Sequence, residues 1–198
     1  GSETTCGVVI EFVDSIGEYP MNTGIITNIG GWPASSMHSY LNDDNNLNEM
    51  VSIYEKLPLE LKNIIIDTYS ISGHEKYKPN NYESIDKLYL LTSVEVLGTQ
   101  YTYDSVSTSE TRQLEYYQQN NNQENILKEC CYICDDMCKT YLNLEDDFFC
   151  FNTEWWLRSA ETRFDDKSNF LYVKIDGSIG TNFSSTVIGV APAFRILD

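Results

Sequence analysis

Cysteine is the most reactive residue type in this sequence, and four of its six cysteines fall close together. The cluster reads "CCYICDDMC" and contains Cys130, Cys131, Cys134 and Cys138. An even number of cysteines in an exported domain is typical of disulfides, whereas the Cys131-x2-Cys134 spacing matches half of a zinc site. A second well-spaced pair is missing, and His38 and His74 lie far away in sequence. Three interpretations of the cysteines therefore remain open: disulfides, reduced cysteines that pack in the core, and a metal site. If disulfides form, the four clustered cysteines are the candidates.

Other catalytic patterns receive no support from the residues. The sequence has two histidines and lacks a Gly-x-Ser-x-Gly elbow, so no Ser/His/Asp constellation is visible. It also lacks a phosphate-binding loop and a dinucleotide fingerprint. Paired carboxylates such as residues 145–147 are too common in an acidic chain to indicate a glycosidase. We therefore predict no catalytic residue.

Charge and hydropathy limit the partners of the chain. Its 198 residues carry a formal net charge of -17, with 41% hydrophobic residues. Such a surface repels the phosphate backbone, so we expect no nucleic-acid partner. No apolar run approaches the length of a membrane span, so we expect no membrane insertion. The opening Gly-Ser pair is typical of a cloning remnant, so a signal peptide would not be visible.

The predicted strands and helices, which must position these residues, indicate one domain over residues 1–198. Strands are predicted at 8–14, 64–71, 86–98, 154–159, 169–176 and 191–198, mostly from β-branched residues. Asp176-Gly177 after an alternating strand indicates a hairpin. Short helices are predicted near 35–41 and 109–119, and residues 74–84 are predicted as a loop. The polar stretch near 99–128 is interpreted as a surface excursion.

Three motifs in order carry a family resemblance: "GGWPASSMHSYLN" (30–42), "DKLYLLTSVEVLG" (86–98), and "WWLRSA" with "YVKIDGSIG" and "GVAPAFRIL" (155–197). Together they resemble a widespread bacterial domain family of unknown function that is similar to the C-type-lectin-like fold. Similar folds include the formylglycine-generating enzymes and receptor-binding proteins diversified by retroelements. The final motif usually reads Gly-Val-Arg-Pro, whereas this chain has Ala191 in place of the arginine.

The resemblance implies an α+β fold of C-type-lectin-like type, with short helices packed on a small, twisted, mainly antiparallel sheet. It implies an extracellular or cell-surface binding module for a glycan or protein ligand. The alternatives are a structural domain without a ligand and an enzyme of unrecognised type. The reactive cysteines of formylglycine-generating enzymes lie near the C-terminus, and no cysteine follows Cys150 here. That activity is therefore not expected.

No cofactor is expected. Asp/Asn-rich stretches occur at 42–48 and 165–169, but neither has an EF-hand pattern. The Glu-Pro-Asn and Trp-Asn-Asp signatures of sugar-binding C-type lectins are also absent. Calcium is thus not supported by any recognised motif.

We interpret the segment "WWLRSA" (155–160), here called the tryptophan motif, as structural. Trp32 is expected to pack, and the adjacent Trp155 and Trp156 should face opposite sides of a strand. One of these two is expected in the core, and the other over a second layer or in solvent. Arg158 should share a face with Trp156, and a buried arginine needs a partner. We predict that Arg158 is mostly buried and paired with Glu95.

The loop after this motif is the predicted ligand-binding region, because loops on a rigid scaffold commonly carry binding. We expect a ligand to meet residues 163–169, with help from the turn at 181–184. The candidate residues are Arg163, Asp165, Asp166, Asn169 and Asn182. The two loops would flank opposite ends of a straight strand, so this prediction requires strong twist or a loop that folds back. The charge favours a neutral or cationic ligand.

Overall fold

A computed structural model describes residues 7–42, 51–119, 126–133, 148–163, 165 and 167–197. Its helices are α1 (Ser36–Asn42), α2 (Ile53–Lys56), α3 (Leu59–Ile64), α4 (Ser93–Leu97) and α5 (Glu115–Gln119), with a 3-10 turn at Trp32–Ala34. Its strands are β1 (Val8–Glu11), β2 (Glu18–Tyr19), β3 (Ile65–Ile66), β4 (Thr68–Ser72), β5 (Tyr82–Asp86), β6 (Lys128–Ile133), β7 (Phe148–Thr153), β8 (Trp155–Ala160), β9 (Asn169–Val173), β10 (Ile179–Phe183), β11 (Ile188–Gly189) and β12 (Ala193–Ile196). Short helices and several small, mainly antiparallel sheets are consistent with the predicted α+β class.

The central sheet has the strand order β10-β9-β8-β11-β2. All of its pairings are antiparallel except that of β11 with β8. The hairpin between β9 and β10 contains the predicted Asp176-Gly177 turn, and Gly177 adopts φ 80, which suits glycine. Every residue of β8 and β9 is buried, because other elements cover both faces of these strands.

A β-bulge interrupts β8 at the arginine of the tryptophan motif. Trp156 pairs with Tyr172 and Ala160 pairs with Phe170, so the register shifts between them. Within this irregular stretch the Arg158 N–H bonds to the carbonyl of Leu91 instead of to β9. Bulges re-aim side chains, so strict strand alternation does not predict the direction of Arg158.

A second sheet joins the two ends of the described chain. Its order is β1-β12-β3, with Val9 opposite Arg195 and Glu11 opposite Ala193. The buried segment 88–91 links this sheet to β8, because Tyr89 exchanges backbone hydrogen bonds with Ala193 and Leu91 accepts from Arg158. Strands β4 and β5 form a separate two-stranded sheet. Thus the loop predicted for 74–84 ends earlier, at the start of β5.

The strand predicted at 86–98 is wrong, because this segment ends in helix α4. The Thr92 side chain accepts from the Glu95 N–H while the Glu95 carboxylate accepts from the Thr92 N–H, which forms a capping box. Gly98 closes the helix in the left-handed conformation with φ 74. The β-branched residues favoured a strand, and the local capping interactions override that preference.

The stretch predicted as a surface excursion packs against the body of the domain in its described part, 99–119 and 126–128. Leu114 donates its N–H to the carbonyl of Glu95 at 2.9 Å. Asp104, Val106 and Tyr117 are buried although their surroundings in sequence are polar. Helix α5 covers Glu115–Gln119 and is shorter than the helix predicted at 109–119.

A two-stranded ribbon of β6 and β7 contains a disulfide. Cys131 lies directly opposite Cys150, and their sulfur atoms are bonded. The predicted disulfide is confirmed for Cys131, although its partner is not among the four clustered candidates. Cys130 is a buried free thiol, so its assignment as a disulfide candidate is corrected, because adjacent strand residues face opposite sides. Cys134 and Cys138 lie outside the described residues.

Within the part of the chain that the structure describes, none of the helices has the length and apolar character needed to span a bilayer.

We expect the Cys131–Cys150 bond to stabilise the domain by restricting its unfolded state. The two residues are 19 positions apart, and closing a loop of this size contributes about 3 kcal/mol. The double variant Cys131→Ala/Cys150→Ala should lose about this much free energy of unfolding in urea titrations. Reduced wild type should match the double variant, and thiol counting should find fewer than the six cysteines free. Equal stability of oxidised wild type and double variant would contradict the prediction.

Candidate functional site

Arg158 binds three neighbouring segments from the centre of the domain. Its guanidinium donates to the Ile71 carbonyl at 2.8 Å, to the Leu90 carbonyl, and to both carboxylate oxygens of Glu95 at 2.7 and 3.2 Å. The side chain is 2% exposed. The predicted burial of Arg158 and its pairing with Glu95 are confirmed.

Both tryptophans of the motif are buried, on opposite sides of β8. The Trp155 indole donates to the Ile126 carbonyl at 2.9 Å, and the Trp156 indole donates to the Tyr19 carbonyl at 2.9 Å. Trp32 is also buried and donates to Asp86 at 3.0 Å. The three tryptophans therefore serve packing, and each indole N–H has a partner as a buried donor requires.

A cleft of about 970 Å³ lies over one face of the β1-β12-β3 sheet. Its floor includes the Glu95–Arg158 pair and a second buried pair, in which Lys128 Nζ lies 3.1 Å from Glu11 Oε1. The hydroxyl of Tyr117 donates to the other oxygen of Glu11 at 2.6 Å. Sequence analysis did not predict this second pair, because Glu11 and Lys128 are far apart in the chain.

Burial raises the pKa of Glu11 above its ordinary value, although Lys128 and the Tyr117 hydroxyl act in the opposite direction. Burial likewise raises the pKa of Asp104, which accepts from the Ser93 hydroxyl at 2.7 Å. Both carboxyls are held in place by hydrogen bonds from the protein. Glu11 contributes to the polar floor of the cleft, whereas Asp104 connects α4 to the segment after it.

His38 and Asp86 form a partly exposed pair that the sequence patterns did not reveal. The His38 Nε2 atom lies 2.8 Å from Asp86 Oδ1, while the other Asp86 oxygen accepts from Trp32 and from Ser84. The Ser84 hydroxyl binds Asp86 rather than the imidazole, so the three groups do not form a Ser-His-Asp relay. The pair fastens α1 to β5.

One group of metal-ligand types occurs among the described residues. Ligand atoms of Glu129, Cys131 and Cys150 lie within 4.8 Å of one another. The two sulfur atoms are joined in the disulfide, so neither is a thiolate ligand. In the first Asp/Asn-rich stretch, the Asn42 side chain accepts from the N–H groups of Lys87 and Leu88, and residues 43–48 lie outside the described residues.

Arg163, the first residue of the predicted 163–169 loop, contacts the strand end that leads into the 181–184 turn. Its guanidinium donates to the Thr181 hydroxyl at 3.2 Å, pairs with the buried Glu161 at 2.9 Å and lies 4.3 Å from the centre of the Tyr103 ring. The predicted 163–169 and 181–184 loops are therefore in contact. No strong twist is required, because the β9–β10 hairpin places Phe183 opposite Asn169.

The other described candidate side chains also make contacts within the protein. Asp165 accepts from the Tyr77 hydroxyl at 2.7 Å and pairs with Lys76 at 3.0 Å, and these contacts hold its pKa below the ordinary value. Asn169 accepts from the Ser168 hydroxyl, and Asn182 accepts from the Thr186 hydroxyl. Asp166 lies outside the described residues. Thus Arg163 meets the turn of Asn182, whereas Asp165 binds the 76–77 segment instead.

A third loop, residues 22–29, joins this region. The Thr27 N–H bonds to the Ser184 hydroxyl at 2.9 Å, and the Asn28 N–H bonds to the Lys167 carbonyl at 2.6 Å. These adjoining loops carry five large apolar side chains that are 52% to 68% exposed. We call this set the apolar loop face: Ile25, Ile26, Ile29, Phe183 and Val187. Sequence analysis missed these residues, because isolated isoleucines in a chain normally indicate core.

We predict that Arg158→Ala lowers the free energy of unfolding by about 3–5 kcal/mol, because the substitution leaves buried Glu95 unpaired. Urea titration measures the change. The surface pair Lys62–Glu55, at 2.8 Å, provides a control. Its disruption by Lys62→Ala should cost at most about 1 kcal/mol, because exposed pairs are well solvated. An unchanged midpoint for Arg158→Ala would contradict a structural role for the pair.

Glu11 and Asp176 should titrate in opposite directions from their ordinary values. Burial raises the pKa of Glu11 above 4.5, whereas the Ser178 hydroxyl and N–H lower the pKa of exposed Asp176 below 3.8. NMR titration of the side-chain carboxyl carbons measures both. A Glu11 midpoint at or below 4.5 contradicts the prediction.

The raised pKa of Glu11 also has a consequence for stability. Folded Glu11 retains its proton to higher pH than unfolded Glu11, so this contribution to stability is present below the ordinary pKa and declines as pH rises through the raised pKa. Stability of Glu11→Gln relative to wild type should therefore improve across that interval.

Comparison with known proteins agrees with the motif resemblance at the level of family. Neither the curated proteins nor the solved structures contain a match to this chain. A family model, described as a domain of unknown function (DUF6273), matches residues 13–197. This match includes the Glu95–Arg158 pair and all five residues of the apolar loop face. The chain therefore belongs to the DUF6273 family.

Proposed function

We propose that this domain is an extracellular or cell-surface binding module that recognises a protein ligand through the apolar loop face. The observation that carries the proposal is the exposure of five large apolar side chains on adjoining loops. Exposed apolar patches commonly mark protein interaction sites. Loops held by a rigid sheet are also common places for binding.

Two features support an exported, C-type-lectin-like domain. The Cys131–Cys150 bond joins exposed residues of a ribbon, and disulfides persist mainly in oxidising compartments. Short helices on small, mainly antiparallel sheets agree with the C-type-lectin-like architecture that the three motifs imply. Neither the compartment nor the finer fold assignment rests on the family match.

The charge of the chain favours a basic partner. A net charge of -17 attracts cationic surfaces and repels polyanions. Electrostatic attraction would raise the association rate, while the apolar side chains would supply most of the affinity. A partner with an apolar centre and a basic rim fits both features.

An enzyme is the second candidate, because ionisable side chains converge in the cleft. Glu95 is bound by Arg158 and Thr92, and Glu11 is bound by Lys128 and Tyr117. Groups held this way are suited to supporting structure more than to exchanging protons with a substrate. Binding without catalysis therefore fits the cleft better.

Selection of phage-displayed random peptides against the wild-type domain tests the proposal. We expect enriched peptides to combine apolar and basic residues. They should bind at least about tenfold more weakly to Ile26→Asp/Phe183→Asp, which corresponds to about 1.4 kcal/mol or more. The reason is that two carboxylates would be desolvated in the contact.

Ile85→Asp is the matched control, because Ile85 is an isoleucine that is 50% exposed on β5, outside the apolar loop face. It should bind the enriched peptides as wild type does. Failure to enrich any peptide would favour a structural domain without a ligand. Equal binding to wild type and the double variant would place the site elsewhere.

A further inference from the structure

The cleft has features of a binding site separate from the apolar loop face. It lies over the face of the terminal sheet that carries Val9, Glu11 and Arg195. Its volume of about 970 Å³ is at the upper end of the range of small-ligand sites. Such a volume exceeds the need of an ion or a single small group.

Four charged side chains on the cleft floor form two ion pairs within the protein. Arg158 binds Glu95 through two hydrogen bonds, and Lys128 lies 3.1 Å from Glu11. A charged ligand would have to compete with these pairs. An anionic ligand would also be repelled by the net charge of -17. The electrostatics therefore favour a neutral ligand.

The two walls of the cleft differ in polarity. Strand β1 and the residues after it form an apolar wall that includes the exposed Val8 and Val13. The facing segment, residues 108–118, presents hydroxyl, amide, guanidinium and carboxylate groups, the carboxylates being those of Glu110 and Glu115. The half-exposed ring of Tyr116 lies among them. A suitable ligand has an apolar surface and many hydrogen-bonding groups together.

Pyranose rings have this combination, because their C–H face is apolar and their rim carries hydroxyls. An aromatic ring can cover the C–H face, and the Tyr116 side chain is 50% exposed. We propose that the cleft binds a neutral oligosaccharide, with one sugar ring packed on Tyr116 and hydroxyls bound by the 108–118 wall. The volume accommodates more than one ring.

Saturation-transfer NMR with a panel of soluble sugars tests this proposal. The panel consists of lactose, cellotriose, maltotriose, chitobiose and sialyllactose. We expect binding of at least one neutral member, and at least about tenfold weaker binding of sialyllactose than of lactose if lactose binds. Tyr116→Ala should weaken binding of the neutral sugar at least about tenfold, because it removes the stacking surface.

Two further variants make the test specific. Val13→Arg places a long side chain in the cleft from an exposed position on the opposite wall, so it should abolish binding without affecting the core. Tyr77→Ala is the matched control, because Tyr77 is an exposed tyrosine outside the cleft, and it should bind as wild type does.

Three results would overturn the proposal. They are no binding of any neutral sugar to the wild type, undiminished binding to both cleft variants, and hydrolysis of the bound sugar, which would indicate catalysis. The Ile26→Asp/Phe183→Asp variant should retain sugar binding, so failure of this proposal and failure of the proposed protein-binding function are distinguishable.

Discussion

The bidentate contact between Arg158 and Glu95 is the interaction on which most of the fold depends. It joins β8 to α4, and the same guanidinium binds carbonyls of β4 and of the segment that reaches β12. Removing two charges from water is costly, so the pair is stable only because further donors and acceptors complete it. Thr92 supplies one such donor, and its contact is also the helix cap of α4. One ion pair thus sets both the tertiary packing and a local helix.

Polar and apolar side chains differ in their contacts at the loops. Arg163 and Asp165 bind neighbouring loops, whereas Asn182 accepts from Thr186 within its own turn. Hydrogen bonds from the Thr27 N–H to Ser184 and from the Asn28 N–H to Lys167 hold together the loops on which Ile26 and Phe183 are exposed. The side chains of the apolar loop face make none of these hydrogen bonds, so we expect their replacement to leave the scaffold intact.

Sequence alone predicted the features that local patterns encode. The Asp176-Gly177 hairpin follows from turn chemistry. The pairing of Arg158 with Glu95 was predicted because an arginine buried beside the tryptophans needs a partner. Helix α4 was missed because its β-branched residues suggested a strand, although Thr92-x-x-Glu95 is a capping-box signal. The bulge near Arg158 and the pairing of Cys131 with Cys150 depend on strand register, which long-range packing determines. The clefts and exposed patches likewise require knowledge of what covers each side chain.

The pairing of β1 with β12 has a mechanical consequence. Val8 lies opposite Ile196, so the segments preceding β1 and following β12 leave the sheet at the same end of an antiparallel pair. Tension applied through these two segments would pull the strands apart sideways and load their hydrogen bonds one after another. Strands loaded in this way unzip at lower force than strands sheared along their length. If the domain is held between neighbours on a cell surface, β1 would detach first, and Glu11 would be drawn away from Lys128.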